Sequence, residues 1–301
     1  MPQNGAPFFY LCIVNQLKKS MNYKKEMEEI MSLINNAHDM LNKVITGLGR
    51  KESELSVYTI GFDPKKNFQN FIEGDSNKLA YRVGLSIADN TAPNIYNPFF
   101  IYGPSGSGKS HLINAIGLKF QETNPNKRVL CVSALQFQRQ FADSVCHNTT
   151  NDFIKLYQSV ELLIVDDIQE WTHAPKTLET FIQIFNQMIC TGKQIIIASD
   201  RPPVELKGIK RSVLTRFASG LIAELEPPNE QLCIDILNTK YNHENQKVPA
   251  EVIEFIAKTA NSSVYELEGV MNSLMAYSTI NNTDIDIPLA KRVVMRSVKL
   301  N

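Results

Sequence analysis

Residues 103–110 read Gly-Pro-Ser-Gly-Ser-Gly-Lys-Ser, and both the residue types and their offsets suit a chain of phosphates. Glycines at 103, 106 and 108 let backbone N–H groups curl inward as an anion cradle, to which a helix N-terminus adds positive potential. Lys109 is placed to reach the β- and γ-phosphates, and the Ser110 hydroxyl to ligate Mg2+. The predicted nucleotide contacts are Gly103, Gly106, Ser107, Gly108, Lys109, Ser110 and His111. A chance glycine-rich turn is the competing explanation. It accounts poorly for a motif set between an apolar run, Phe99-Phe100-Ile101-Tyr102, and a helical one, His111 to Ile116. The expected ligand is a nucleoside triphosphate with Mg2+.

A second cluster lies downstream. Leu162-Leu163-Ile164-Val165-Asp166-Asp167 has the form of a Walker B strand. Asp166 is placed to hold Mg2+ through water, and Asp167 to orient or deprotonate an attacking water. Buried strands often end in acids at surface turns, so this signal gains its force from the phosphate loop before it. Ile195-Ile196-Ile197-Ala198-Ser199-Asp200 ends a further strand in polar groups, at the sheet edge where open α/β proteins bind ligands. Ser199 or Asp200 would sense the γ-phosphate or position water there; a helix-capping acid at a loop start is the alternative. Arg216 follows the basic residues Lys207, Lys210 and Arg211. Its guanidinium would reach the nucleotide of a neighbouring subunit and stabilise phosphoryl-transfer charge. From the residues alone, a surface arginine beside an acid is the stronger reading.

The elements that must hold these groups alternate between strand and helix. Strands are expected at Pro98–Tyr102, Arg128–Ser133, Leu162–Val165, Gln194–Ala198 and Leu221–Leu225. Helices are expected at Leu79–Ala88, after the phosphate loop, at about 135–147 and 150–158, and at Leu178–Thr191. Runs such as Leu-Leu-Ile-Val are apolar without alternation, as strands covered on both faces require. The expected fold class is therefore α/β, a parallel sheet flanked by helices. Glu226-Pro227-Pro228-Asn229 breaks the pattern, and helices follow at about 230–243, 249–261, 263–279 and 287–299. The domain expectation is an N-terminal extension and helix over 1–60, a nucleotide-binding core over 61–226 and a small helical lid over 227–301.

Upstream, Met27, Ile30, Ile34, Ala37, Leu41, Val44 and Leu48 alternate spacings of three and four, which predicts one amphipathic helix over 21–48. It would dock on the surface or pair as a short self-association coil. Lys51–Thr59 reads as a linker. The apolar stretch Ala6 to Val14 is too short to span a bilayer, and its lysines follow rather than precede it, against a signal peptide. Translation starting at Met21 instead of Met1 is one expectation for this region.

The 301 residues fit about two domains. A hydrophobic content of 43% and a charged content of 21% describe an ordinary globular protein. With 31 basic and 31 acidic residues the formal net charge is zero, so long-range steering toward nucleic acid or anionic membrane is not expected. The five cysteines are scattered without CxxC spacing, which indicates neither a disulfide framework nor a zinc site. Reduced thiols fit a cytoplasmic location.

At this point the motifs take on a family likeness. Asn67-Phe68-Gln69-Asn70-Phe71-Ile72-Glu73-Gly74-Asp75-Ser76-Asn77 resembles the entry segment of the AAA+ domain of the bacterial replication initiator DnaA. So do Tyr96 to Gly103, Val165-Asp166-Asp167-Ile168-Gln169, Ser199 to Leu206 and Glu266-Leu267-Glu268-Gly269. The resemblance covers about 62–299. It implies an AAA+ core with a helical lid, ATP and Mg2+ between them, and ATP-dependent stacking into a helical filament. It further implies that Phe71 and Ile72 flank the adenine, that Asp200 is sensor 1, and that Arg216 is an arginine finger acting in trans. The pair of helices at 135–158 resembles the initiator-type insertion, which lines a channel for single-stranded DNA. Ala142 and Lys176 fall at that channel's contact positions, with Arg139 and Lys155 supplying further positive charge.

Two departures qualify the likeness. The family's lid motif has an arginine, sensor 2, directly before Glu-Leu-Glu-Gly, whereas this chain has Tyr265. A neutral phenol cannot neutralise triphosphate charge, so weak ATP hydrolysis with retained ATP binding is expected. The family also continues into a helix-turn-helix domain that reads duplex DNA, and this sequence stops at Asn301. The resemblance thus implies a protein of replication initiation that assembles with itself or with a full-length initiator on origin DNA, with a replicative helicase as a further partner. The alternatives are an Hda-like regulator or helicase loader, and a nucleotide-gated assembly module with little hydrolysis.

Overall fold

The computed structural model describes residues 62–241, 248–260 and 263–297. The stripe over 27–48, the linker at Lys51–Thr59 and the Met21 start lie outside these residues. Five strands, β1 (Phe99–Tyr102), β2 (Val129–Ser133), β3 (Leu162–Asp166), β4 (Gln194–Ser199) and β5 (Leu221–Glu224), form one sheet in the order β2-β3-β4-β1-β5. Every pairing is parallel. Leu162 to Val165 and Ile195 to Ala198 are fully buried, which is why these segments carry no alternation: helices cover both faces.

Those helices are α1 (Lys78–Ala88), α2 (Lys109–Thr123), α3 (Ala134–Cys146), α4 (Thr150–Gln158), α5 (Pro175–Cys190) and α6 (Arg211–Phe217). Helix α5 starts at Pro175 rather than Leu178. Proline is well tolerated in a first turn, where its missing N–H has no intrahelical partner to lose, so the residue that looks like a break is the start. Strands β3 and β4 each run one residue further than their apolar runs, because Asp166 still pairs with Ser133 and Ser199 with Tyr102. Register lines up Ser133 with Asp166, and Tyr102 with Ser199 and Glu224, at the carboxyl edge of the sheet. Helix α6 was not expected; its seven residues are too few for a periodic signal, and Val213 and Phe217 pin it to the core.

Four more helices follow: α7 (Glu230–Tyr241), α8 (Ala250–Thr259), α9 (Val264–Asn281) and α10 (Ile287–Ser297). They bury their own apolar cluster, including Leu237, Ile253, Ile256, Val270, Met271 and Leu274. Within the core, Phe137 of α3, Phe153 and Tyr157 of α4, Trp171 of the turn after β3 and Phe181 of α5 pack edge-to-face or tilted. The Trp171 indole N–H donates to the Ala134 carbonyl at 2.7 Å, so this aromatic cluster is an internal brace joining α3 and α4 to the sheet. All four described cysteines are free thiols. No helix among the described residues is long and apolar enough to cross a membrane.

Candidate nucleotide site

The phosphate loop joins β1 to α2 at the carboxyl edge of the sheet. Gly106 (φ +79°) and Gly108 (φ +96°) both lie in the left-handed region, where a Cβ costs about 1–2 kcal/mol. That backbone turns successive N–H groups toward one side, and α2 begins immediately at Lys109 with Gly108 as its cap. Ser107 is buried, and its Oγ has no hydrogen-bond partner among the described residues. A polar atom in that position is costly unless something accepts or donates there. Lys109 is also buried, its Nζ donating to the carbonyls of Gly103 at 2.8 Å and Pro104 at 2.9 Å. Burial holds its ammonium below the ordinary lysine value, against the pull of Asp166, Asp167 and Asp200. The lysine is thus a desolvated cation held by neutral carbonyls, a weaker partner than an anion would be.

Facing it, the Ser110 Oγ donates to Asp166 Oδ2 at 2.7 Å, and the Asp167 N–H donates to Asp166 Oδ1 at 2.9 Å. Burial, then repulsion from Asp167, raises the Asp166 carboxyl above its ordinary value, and those two hydrogen bonds only partly offset the effect. A carboxylate raised in this way gains from a nearby cation. Hydroxyl and carboxylate are hard oxygen ligands of the kind Mg2+ takes. Unsatisfied hydroxyl, desolvated ammonium and raised carboxylate together fit a magnesium-bound polyphosphate.

The remaining predicted residues fall around this centre. Phe71 is buried, stacked on Tyr81, edge-on to His111, and a Cβ on Gly108 would lie 3.3 Å from its ring. His111 meets the Asn67 carbonyl through Nε2 at 3.1 Å. Burial lowers its pKa from the ordinary value; the Asn67 carbonyl opposes that shift. Ile72 is half-buried, and its carbonyl accepts from Asn77 Nδ2 at 3.0 Å. Asp200 joins the group through its main chain: its N–H donates to Gln169 Oε1 at 3.2 Å. Its carboxylate instead takes a bidentate pair from Arg201, at 2.7 and 2.6 Å. Arg216 is exposed at the end of α6, its carbonyl accepting from the Ser219 hydroxyl at 2.8 Å, and no described side chain pairs with its guanidinium. The acid that a surface-arginine reading would place beside it is not found among the described residues. On the insertion, Arg139, Ala142 and Lys155 are exposed, as is Lys176 on α5, while Phe137, Phe153 and Tyr157 are buried and Phe141 is half-buried.

Some members of the site gave no sequence signal. Asn114 on α2 accepts from Asp63 N–H and donates to the carbonyls of Asp63 and Lys66, tying the entry segment to the helix behind the phosphate loop. Val264, first residue of α9, donates its N–H to the Gly106 carbonyl at 3.0 Å, and Ser263 caps that helix through Glu266 N–H. Tyr265 is 65% exposed, yet a Cβ on Gly106 would lie 3.1 Å from its ring. The only available signals were the capping-box spacing of Ser263 and Glu266 and the family motif after Tyr265.

Residues 62–224 match the family model of the bacterial DnaA ATPase domain. The chromosomal replication initiator protein DnaA of Bacteroides fragilis is 50% identical over 237 residues, which is 79% of this chain and 50% of that protein. The chain belongs to the bacterial DnaA family. Domain III of the Thermotoga maritima replication initiation protein DnaA superposes with a TM-score of 0.73 at 31% identity, covering 79% of this chain and 99% of that one. A replication initiator DnaA bound to AMPPCP and single-stranded DNA gives a TM-score of 0.66 at 34% identity, covering 71% and 66%. The parallel sheet flanked by helices is therefore the DnaA-type AAA+ fold. The chain spans about half the length of the curated relatives it matches.

Proposed function

We propose that this DnaA-family chain binds ATP with Mg2+ and acts in the initiation of DNA replication, assembling on ATP with itself or with a full-length initiator on origin DNA. The observation that carries the nucleotide reading is the cluster of buried Ser107, buried Lys109 and half-buried Asp166: a hydroxyl with no described partner, an ammonium held only by neutral carbonyls, and a carboxyl raised by desolvation, all of which a magnesium-bound triphosphate would relieve. In this reading the amides of 103–108 cradle the phosphates and Lys109 leaves the Gly103 and Pro104 carbonyls to contact them. Ser110 and Asp166 hold Mg2+, which would supply neutralisation of phosphate charge. Phe71, Ile72 and His111 close the base side. Asp167 orients water, Asp200 marks the end of β4, and Arg216 acts on a neighbour's nucleotide. The exposed Arg139, Lys155 and Lys176 support contact with single-stranded DNA through its phosphates. A helicase partner and a cytoplasmic location belong to the same proposal, as does a lid over 227–301 on a core over 61–226.

Tyr265 favours a second reading, a nucleotide-gated assembly module with little hydrolysis, because no guanidinium stands at the start of α9 beside Gly106. An Hda-like regulator or loader shares the same site. Calorimetry with magnesium and ATP is the first test. Saturable binding is expected, weakened roughly 30- to 150-fold in Lys109→Met from the loss of about 2–3 kcal/mol of charge-assisted bonding; no heat of association from the folded protein would reject the nucleotide reading. Turnover in Tyr265→Arg then separates the two readings, since a several-fold rise supports a weakened enzyme and no change supports the module.

A further inference from the structure

We propose that Gln169 is a positioning residue for hydrolysis, a single amide that aims the Asp167 carboxylate and locks it to the end of β4. Asp167 leaves β3 in the left-handed region, φ +58° and ψ +45°, and is exposed to solvent beside the half-buried Asp166. An exposed carboxylate on such a turn has several rotamers available. Among the described residues one side-chain hydrogen bond restrains it: Gln169 Nε2 donates to Asp167 Oδ1 at 2.9 Å. The other end of the same amide, Oε1, accepts the Asp200 N–H at 3.2 Å. Only this orientation of the amide satisfies both neighbours, because the flipped one would set an oxygen against the carboxylate and an NH2 against the N–H. Gln169 is half-buried on the turn Ile168–His173, whose Ile168 and Trp171 are buried in the core, so its backbone is firmly held.

The consequence is a two-ended brace. The carboxylate proposed to orient water is tied to the peptide after β4, and the Asp200 carboxylate, engaged by Arg201, does not provide that tie. Aiming a water-orienting group matters for the chemical step far more than for binding, since misplacement by a fraction of an ångström loses the productive geometry while leaving phosphate contacts intact. This proposal rests on the nucleotide reading above and adds a residue to it.

The test compares the full chain with Gln169→Met, which keeps length and loses both hydrogen bonds, and Gln169→Glu, which keeps the acceptor for Asp200 but turns a second carboxylate toward Asp167. ATP affinity is measured by calorimetry, hydrolysis by single-turnover assay, and folding by thermal melt. Hydrolysis is expected to fall about tenfold or more in both variants, with affinity within about twofold of wild type. Wild-type hydrolysis in either folded variant, or affinity and hydrolysis falling by the same factor, would overturn the proposal. A wild type that binds ATP without hydrolysing it overturns the brace alone; one that does not bind ATP overturns the reading beneath it as well.

Discussion

Lys109 is buried and Asp166 half-buried where the phosphate loop meets the end of β3, whereas Arg216 and Tyr265 stand in solvent at the end of α6 and the start of α9. The buried half is committed. Removing a cation and a carboxylate from water costs several kcal/mol unless partners are supplied, so groups placed there have their chemistry fixed by the fold around them. The exposed half carries no such commitment, because a solvated guanidinium is stable with no partner at all. That contrast divides the site between groups that complete a contact inside the chain and groups whose contact must come from another molecule. An exposed arginine with no described acid beside it belongs to the second kind.

The largest effect that would break this division concerns Arg216. Arg216→Ala is expected to leave ATP affinity of the dilute chain within about twofold and to lower hydrolysis in the assembled state by roughly a thousandfold, as for arginines supplied in trans. Equilibrium binding at low concentration and turnover at high concentration read the two quantities. A loss of affinity in the dilute chain would move Arg216 to the committed half.

A smaller effect sharpens the boundary at Gly106. Gly106→Ala puts a Cβ 2.7 Å from the Ser263 Cβ on backbone with φ +79°. The expected cost is about 2 kcal/mol, a fall in Tm of roughly 4–8 °C. Thermal melting reads it, and an unchanged Tm would show that the loop and α9 are not held together.

The smallest effect is a pH dependence. His111 is held below its ordinary value of 6.5, first by burial, then by Lys66 and Lys240, with the Asn67 carbonyl and Glu268 opposing. As pH falls through 6.5 the unfolded chain takes its proton first, so stability declines from there down to the folded value and is independent of this group above 6.5. His111→Gln should flatten that decline, by less than either effect above; melts at pH 7.5, 6.5 and 5.5 check it.

The phosphate loop, the five strands and Asp166 were legible because their chemistry demands residue types at fixed offsets or unbroken apolar runs. Gln169 was not legible. Its role depends on β3 and β4 ending side by side, which brings it to a peptide thirty-one residues away, and one glutamine on a turn carries no pattern. Helix α6 escaped for want of length. Asp200 was singled out by its strand end, yet its carboxylate is engaged by the following arginine and its N–H by Gln169, a local arrangement that motif spacing does not encode.

Helix α9 starts on the phosphate loop and runs for eighteen residues, about 27 Å. Its first N–H rests on the Gly106 carbonyl, which makes that peptide a fulcrum. A tilt of about five degrees there swings the opposite end, where Tyr277 and Ile280 are exposed, by roughly 2 Å. A displacement of the loop too small to alter its own packing would in this way be delivered, magnified, to exposed apolar side chains at the other end of the helix.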